Sequence, residues 1–115
     1  MAQIKIDRGT RYTIGVDYQK NGVAQSLVGS TVRFTMKDKE YDSDANDTSA
    51  AVVKNITNGD ANGHAEIVIM PNDTASLVPG KYFYDIKVDE YSDAQSVYKL
   101  DEGTIKLDGS PTNRV

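Results

Sequence analysis

The sequence has 115 residues, a length that suits one domain with one hydrophobic core, and its lack of cysteine excludes disulfides and thiolate metal sites. Its 13 basic and 17 acidic residues give a net charge of −4 at pH 7, and no three consecutive residues are basic, which disfavours a nucleic-acid partner. No apolar run approaches the roughly 20 residues that a helix needs to cross a membrane, so we expect no membrane partner.

Alternation of apolar and polar residues predicts strands from the beginning of the chain. Ile4 and Ile6 alternate in a short first strand, and residues 12–18 form a longer second one. Asn21-Gly22 predicts a tight hairpin turn, because both residues tolerate positive φ, and residues 23–27 are the return arm.

The next strand is predicted from the alternation of Val32, Phe34 and Met36, with Arg33 on the opposite face. Residues 37–49 are polar and rich in Asp, which predicts a long loop. A further strand follows at residues 52–56.

Gly63 opens a strand that places Ala65, Ile67 and Ile69 on one face. Residues 72–77 predict one helical turn, capped by Asn72 or Asp73, with Leu77 folding back as a plug. Residues 82–88 then form the longest alternation in the chain.

The last strand changes parity along its length. Tyr98 and Leu100 are even-numbered, whereas Ile105 and Leu107 are odd-numbered, so one extra residue must be absorbed if all four face the core. We predict a β-bulge at residues 101–103, with Gly103 in a left-handed conformation.

Seven or eight short strands with turn signals about every 8–12 residues are typical of a sandwich or small barrel. The sequence therefore predicts an all-β, immunoglobulin-like sandwich of antiparallel strands with one short helical turn. Residues 1–108 are expected to form a single domain and residues 109–115 a flexible C-terminal tail.

Four segments, in this order, carry a resemblance to a known family. They are Leu-x-Gly-x-x-Val-x-Phe at residues 27–34, Gly-x-Ala-x-Ile-x-Ile at 63–69, Pro-Gly-Lys-Tyr-Phe-Tyr-Asp-Ile at 79–86, and Leu-x-x-Gly-Thr-Ile-x-Leu at 100–107. Together they resemble the small β-sandwich domains of tailed-phage and prophage virion proteins. They are most similar to the N-terminal domains of baseplate upper proteins and related tail accessory proteins. The resemblance spans about residues 10–108 and implies a structural role among other virion proteins.

Candidate metal and catalytic residues do not assemble into a recognisable site. Residues 42–48 carry oxygen ligands at alternate positions, but an EF-hand loop counted from Asp42 would need Gly at position 47 and Glu at position 53, where Asp47 and Val53 stand. His64, the sole histidine, has the parity of the solvent face of its strand. Adjacent carboxylates at 89–90 and 101–102 point to opposite faces of their strands, so neither pair suits general acid–base work. We expect no cofactor and no enzyme activity.

The seven tyrosines are the richest hint of an interaction surface. Tyr41 and Tyr91 lie in acidic loops, where exposed tyrosines are enriched at protein and sugar interfaces. Local packing over the ends of the sandwich is an equal alternative for both. Tyr84 is predicted to form a tyrosine corner, whose hydroxyl ties the chain to a nearby backbone group.

These observations favour a non-enzymatic structural or assembly protein of a tailed-phage virion, in the tail, baseplate or head. The first strand and the strand at residues 52–56 are candidate sheet edges for pairing in a homo-oligomer or ring. The start of the chain lacks a signal-peptide core, so assembly is expected in the bacterial cytoplasm. The alternative is a carbohydrate- or surface-binding module in which Tyr41 and Tyr91 stack on sugar rings.

Calcium at millimolar concentration should leave the melting temperature unchanged, because residues 42–48 fail the calcium-loop pattern. An ion bound only by the folded state would stabilise it by about 2.7 kcal/mol at a hundredfold excess over its Kd. Differential scanning fluorimetry with calcium, and with magnesium as the control, measures this. A rise of several degrees with calcium alone would contradict the prediction.

Overall fold

The computed structural model describes residues 2–38, 50–90 and 97–109. Its elements in chain order are β1 (Ala2–Asp7), β2 (Tyr12–Asp17), β3 (Gln19–Lys20), β4 (Val23–Ala24), β5 (Thr31–Lys37), β6 (Val52–Ile56), β7 (His64–Ile69), α1 (Pro71–Thr74), β8 (Gly80–Asp89) and β9 (Val97–Asp108). The prediction of an all-β chain with one short helical turn is confirmed.

The strands form two layers. A five-stranded sheet has the order β1-β9-β8-β5-β6, a second sheet pairs β2 with β7, and β3 and β4 form a small hairpin. Immunoglobulin domains also place strands B and E in one sheet and C, F and G in the other. All neighbouring strands are antiparallel except β1, which runs parallel to β9, so the expectation of uniformly antiparallel strands is wrong at this edge.

The core lies between the layers and follows the predicted alternation. Val32, Phe34 and Met36 on β5 are fully buried. Phe34 stands opposite Ile86 of β8 and stacks on Tyr84, with ring centroids 5.9 Å apart. Arg33, on the other face, is exposed and donates a hydrogen bond to the Asn55 side chain at 3.2 Å.

The Asn21-Gly22 turn is confirmed. Both residues have positive φ, 52° and 79°, and they join Lys20 directly to Val23 across the hairpin. Positive φ at both central positions is what a two-residue hairpin loop of this kind requires.

The β-bulge in β9 exists, but its predicted position is wrong. Ile86 pairs with Asp101 and the next residue, Lys87, pairs with Lys99, so Leu100 is the extra residue. Gly103 pairs regularly with Tyr84 and is not among the described glycines with positive φ. The prediction of a left-handed Gly103 in the bulge is therefore wrong.

The helical turn α1 holds one end of the sandwich together. The N-cap is Met70, so the prediction that Asn72 or Asp73 caps the turn is wrong; Asp73 lies at the third helical position, and its carboxylate accepts a hydrogen bond from the Met70 backbone N–H at 2.7 Å. Thr74 is fully buried, and its hydroxyl accepts a hydrogen bond from the Gly9 N–H at 2.9 Å. Leu77 packs partly buried against the core, so α1 links the β1–β2 turn to the start of β8.

Replacing Phe34 with alanine should lower the free energy of unfolding by about 3–5 kcal/mol, because it removes a fully buried ring and leaves a cavity. Arg33→Ala is the matched control on the same strand and should change stability by less than about 1 kcal/mol. Urea unfolding of both variants measures the difference. Equal losses would mean that the faces of β5 are assigned wrongly.

Candidate interaction edges

The five-stranded sheet ends in β1 on one side and β6 on the other. Within the described ranges neither strand has a second neighbour, so the prediction that both are sheet edges is confirmed. An edge strand presents a row of unpaired backbone N–H and C=O groups, which is a template for pairing with another chain. The two edges differ in how they are protected.

The edge at β6 carries an inward-pointing charge. Lys54 stands opposite the buried Phe34, and its Nζ lies 2.7 Å from Oδ2 of Asp73 on α1. Both side chains are about three-quarters buried. A strand added beside β6 would cover this ion pair completely, and inward-pointing charges on edge strands are a known protection against such pairing. Sequence reasoning missed this pair, although Lys54 shares the parity of Val52 and Ile56.

Among the described residues, the edge at β1 has no inward-pointing charge. Its inward residues are Ile4 and Ile6, which pack against the core, and its outward residues Gln3, Lys5 and Asp7 are exposed. Lys5 is 3.3 Å from Asp108 on β9, but this contact lies on the outer face and leaves the edge uncovered. Within the part of the chain that the structure describes, β1 is therefore the less protected of the two edges.

A polar cluster closes one end of the sandwich, where the β3–β4 hairpin meets the end of β8. The buried Tyr18 donates its hydroxyl hydrogen bond to Glu90, and the Nζ of Lys20 lies 3.1 Å from the same carboxylate. Lys20 also sits 4.4 Å from the ring centroid of Tyr98, which is 41% exposed. The hydrogen bond from Tyr18, and then Lys20, hold the pKa of Glu90 below its usual value.

The tyrosine corner is formed by Tyr82 rather than by Tyr84. The Tyr82 hydroxyl donates to the Val78 carbonyl, four residues upstream, at 2.7 Å. The Tyr84 hydroxyl donates instead to the Asp101 carboxylate at 3.0 Å. Both rings face inward, so the alternation pattern does not distinguish them. The prediction of Tyr84 was wrong because Tyr82 is the tyrosine whose hydroxyl reaches the backbone of the turn before β8.

The predicted interaction loops lie outside the described residues. Tyr41 and Tyr91 belong to segments 39–49 and 91–96, as do the aspartates of the rejected calcium pattern, and residues 110–115 of the expected tail are also outside. The described residues that flank the two tyrosine segments, Asp38 and Glu90, follow opposite ends of the β5–β8 ladder, since Thr31 pairs with Asp89 and Lys37 with Phe83.

His64 is exposed, as predicted, and its ring contacts the Asp17 carboxylate across the β2–β7 ladder. Across residues 2–38, 50–90 and 97–109, no three His, Cys, Asp or Glu side chains converge to hold a metal ion. The same residues contain no helix long and apolar enough to cross a membrane.

The outer face of the large sheet collects cations that are far apart in the sequence. Lys106 on β9 stands between Lys5 on β1 and Lys81 on β8 in one row. Asp108 contacts two of them, at 3.3 Å from Lys5 and 3.7 Å from Lys106, whereas Lys81 lies over the Phe83 ring. An open depression of about 470 Å³ borders Lys81 and Lys106. Like charges opposite each other cost stability, which the shared aspartate offsets in part.

No protein-family model matches the chain, and no curated protein matches it. Among solved structures it is similar to the immunoglobulin-like domain of mouse leukocyte-associated immunoglobulin-like receptor 1, solved as a strand-swapped dimer. That match has a TM-score of 0.50 and 16% identity, and covers 91% of this chain and 86% of that one. The likeness shows the fold: the chain is an all-β, immunoglobulin-like sandwich.

Two further structures are similar over almost the whole chain. A putative glycoside hydrolase from Bacteroides vulgatus has a TM-score of 0.47 and 14% identity, covering 94% of this chain but 17% of that one. A structure of voltage-gated sodium channel β subunits, studied for multimeric cell-adhesive interactions, has a TM-score of 0.44 and 8% identity, covering 96% and 93%.

Stability should fall as pH rises from 10 to 12. Burial, and then the hydrogen bond to Glu90, raise the pKa of Tyr18 from 10.0 to about 12. Burial and Asp101 do the same for Tyr84. The unfolded chain loses these protons first, so their stabilising contribution is complete below pH 10 and is lost by about pH 12. Urea unfolding from pH 8 to 11.5 measures it.

Tyr18→Phe tests the assignment, because it removes one of these contributions and should make the alkaline decline shallower. Glu90→Gln keeps the burial of Tyr18 but removes the negative charge, so the fall should still begin near pH 10, while being smaller and ending at a lower pH. An alkaline decline in Tyr18→Phe as steep as in the unmodified chain would contradict the role of Tyr18.

Proposed function

We propose that this chain is a non-enzymatic assembly module of a tailed-phage virion, acting in the tail, baseplate or head through strand pairing with a neighbouring virion protein. The observation that carries the proposal is the edge at β1, which has one neighbour among the described residues and no inward charge to prevent a second. The assignment to a virion is supported by the resemblance of residues 10–108 to virion β-sandwich domains.

Strand pairing suits a small domain of this composition. Main-chain hydrogen bonds supply the binding, and alternate side chains supply the specificity, so no pocket is required. The other edge is closed by Lys54 and Asp73, which directs pairing to one side of the sheet. A domain with one receptive edge joins a defined neighbour rather than polymerising through both edges.

Binding of a glycan is the second candidate function, and Tyr98 is the observation that favours it. Its ring is exposed beside the exposed Val97, as an aromatic platform for a sugar would be. However, Lys20 occupies a position over this ring, 4.4 Å from its centroid, and a stacking sugar would have to displace it or use the other face. This cost makes the edge at β1 the stronger candidate.

Mass spectrometry of density-purified virions from the phage or prophage that encodes the chain should find it as a stoichiometric component. A virion population carrying Lys5→Pro should lose the chain, because proline removes an N–H group directed at the open edge of β1. Lys5→Ala keeps that N–H and is the matched control, which should be incorporated. Thermal melts should show that both variants are folded.

Absence of the chain from purified virions would overturn the proposal. Equal incorporation of Lys5→Pro and Lys5→Ala would overturn the use of β1. A glycan array then tests the alternative, which requires binding by the monomer and its loss in Tyr98→Ala.

A further inference from the structure

We infer that the strand which pairs with β1 carries an acidic side chain beside Lys5, flanked by apolar side chains beside Ile4 and Ile6. The partner is thus an extended segment with the pattern apolar–acidic–apolar. This inference rests on the proposed function and deepens it by giving the chemistry of the partner strand. It is carried by the backbone groups left open on β1 and by a row of lysines on the outer face of the large sheet.

The backbone of β1 limits where a partner strand binds. The Arg8 N–H donates to the Asp108 carbonyl of β9 at 2.8 Å. Because backbone groups alternate in direction along a strand, those of Gln3, Lys5 and Asp7 point away from β9. The Asp7 carbonyl already accepts two hydrogen bonds from the β1–β2 turn. The open run of backbone groups therefore extends from Gln3 to the Asp7 N–H, with Lys5 at its centre.

A partner strand in either direction reaches four hydrogen bonds without the Asp7 carbonyl. An antiparallel partner exchanges two bonds with Gln3 and two with Lys5. A parallel partner bonds the Gln3 carbonyl, both groups of Lys5 and the Asp7 N–H. Side chains of neighbouring strands that stand opposite each other share a face of the sheet in both cases. The residue beside Lys5 therefore lies on the outer face whichever way the partner runs.

Three lysines stand side by side on the outer face and lead to the open edge. Lys81 of β8 pairs with Lys106 of β9, and Lys106 pairs with Lys5 of β1. Neighbouring strands are about 4.8 Å apart, so a strand beside β1 adds a fourth position to this row next to Lys5. Like charges on opposed residues are destabilising, and opposite charges are stabilising. The row therefore favours a carboxylate at the added position.

The aspartates near this row leave it with a positive surplus. Asp108 is shared, at 3.3 Å from Lys5 and 3.7 Å from Lys106, and Asp7 stands opposite Asp108 in the register. The three lysines of the row thus face two aspartates, in a chain whose net charge is −4. The side chain of Lys5 is 68% exposed, so a second carboxylate has access to it from the open edge.

The inner face of β1 favours apolar neighbours. Ile6 is fully buried, whereas Ile4 is only partly buried. An apolar side chain beside Ile4 would remove more of its surface from water, which is favourable. A charged side chain there would lie beside the core, as Lys54 does on β6, where it is paired with Asp73. The residues on both sides of the partner's acid are therefore expected to be apolar.

A strand tethered to the full chain tests this preference at high effective concentration. The sequence Thr-Val-Glu-Val-Thr is joined ahead of Met1 through a Gly-Ser linker long enough for either direction. With its valines beside Ile4 and Ile6, its glutamate stands beside Lys5. The tethered strand should raise the Tm above that of a chain with the linker alone. It should also slow amide hydrogen exchange at Lys5, which locates the added strand on β1.

Lysine in place of the glutamate of the tethered strand should lower the Tm by about 2–8 °C, because it exchanges an attractive neighbour of Lys5 for a repulsive one. In a Lys5→Glu chain the order of the two strands should reverse. Each fusion is compared with its own linker-only chain, because Lys5→Glu also removes the contact with Asp108. Lys87→Glu is the matched charge change on β8, on the same outer face, and should leave the preference for glutamate intact. The preference should shrink at 0.5 M salt, where exposed charge pairs are screened.

Equal Tm values for the glutamate and lysine strands would overturn the inference, as would the absence of exchange protection at Lys5 with both. The proposed function is tested separately, in virions. If virions contain the chain in a Lys5→Pro-sensitive way but the edge does not prefer an acid, the proposed function stands and the inference fails. If the edge prefers the acidic strand but virions lack the chain, the preference stands and the proposed function fails.

Discussion

The contact of Phe34 with Tyr84 and Ile86 at the centre of the large sheet holds β5 and β8 in register. Every other strand of that sheet is added outward from this pair, with β6 beside β5 and β9 and then β1 beside β8. A slip of one residue here would turn the whole inner face of β5 to solvent. The positions of the edges, and of the charges on them, therefore depend on this buried contact.

The two ends of the sandwich are held by different chemistry. At one end α1 is tied to the β1–β2 turn through the buried Thr74, and Tyr82 clamps the turn before β8. At the other end the Glu90 carboxylate accepts a hydrogen bond from the Tyr18 hydroxyl and forms an ion pair with Lys20. These contacts fix the small β3–β4 hairpin against the large sheet. Since β1 precedes the turn tied to Thr74, the strand proposed for pairing is anchored at its C-terminal end in the single domain.

The two edges of the large sheet differ in their protection against pairing with another strand. A sheet with two receptive edges propagates, whereas a sheet with one receptive edge closes after a single pairing. Lys54 protects the edge at β6 at little cost to the stability of the single domain. Asp73 pairs with its charge at 2.7 Å, and both side chains keep some contact with water. The same residue thus stabilises the link between the layers and protects β6, which leaves β1 as the edge proposed for pairing.

Local patterns in the sequence were sufficient for the strands, the Asn21-Gly22 turn and the shared face of Val32, Phe34 and Met36, because alternation and turn preferences are properties of neighbouring residues. The candidate edges at β1 and β6 also followed from their shortness and their place in the chain. Only the tertiary structure decided that β1 lies parallel to β9 and that Leu100 is the bulged residue. It also assigned the corner to Tyr82 and paired Lys54 with Asp73. These features depend on which distant residues meet, and a period-two pattern specifies the face of a side chain but not the partner across it.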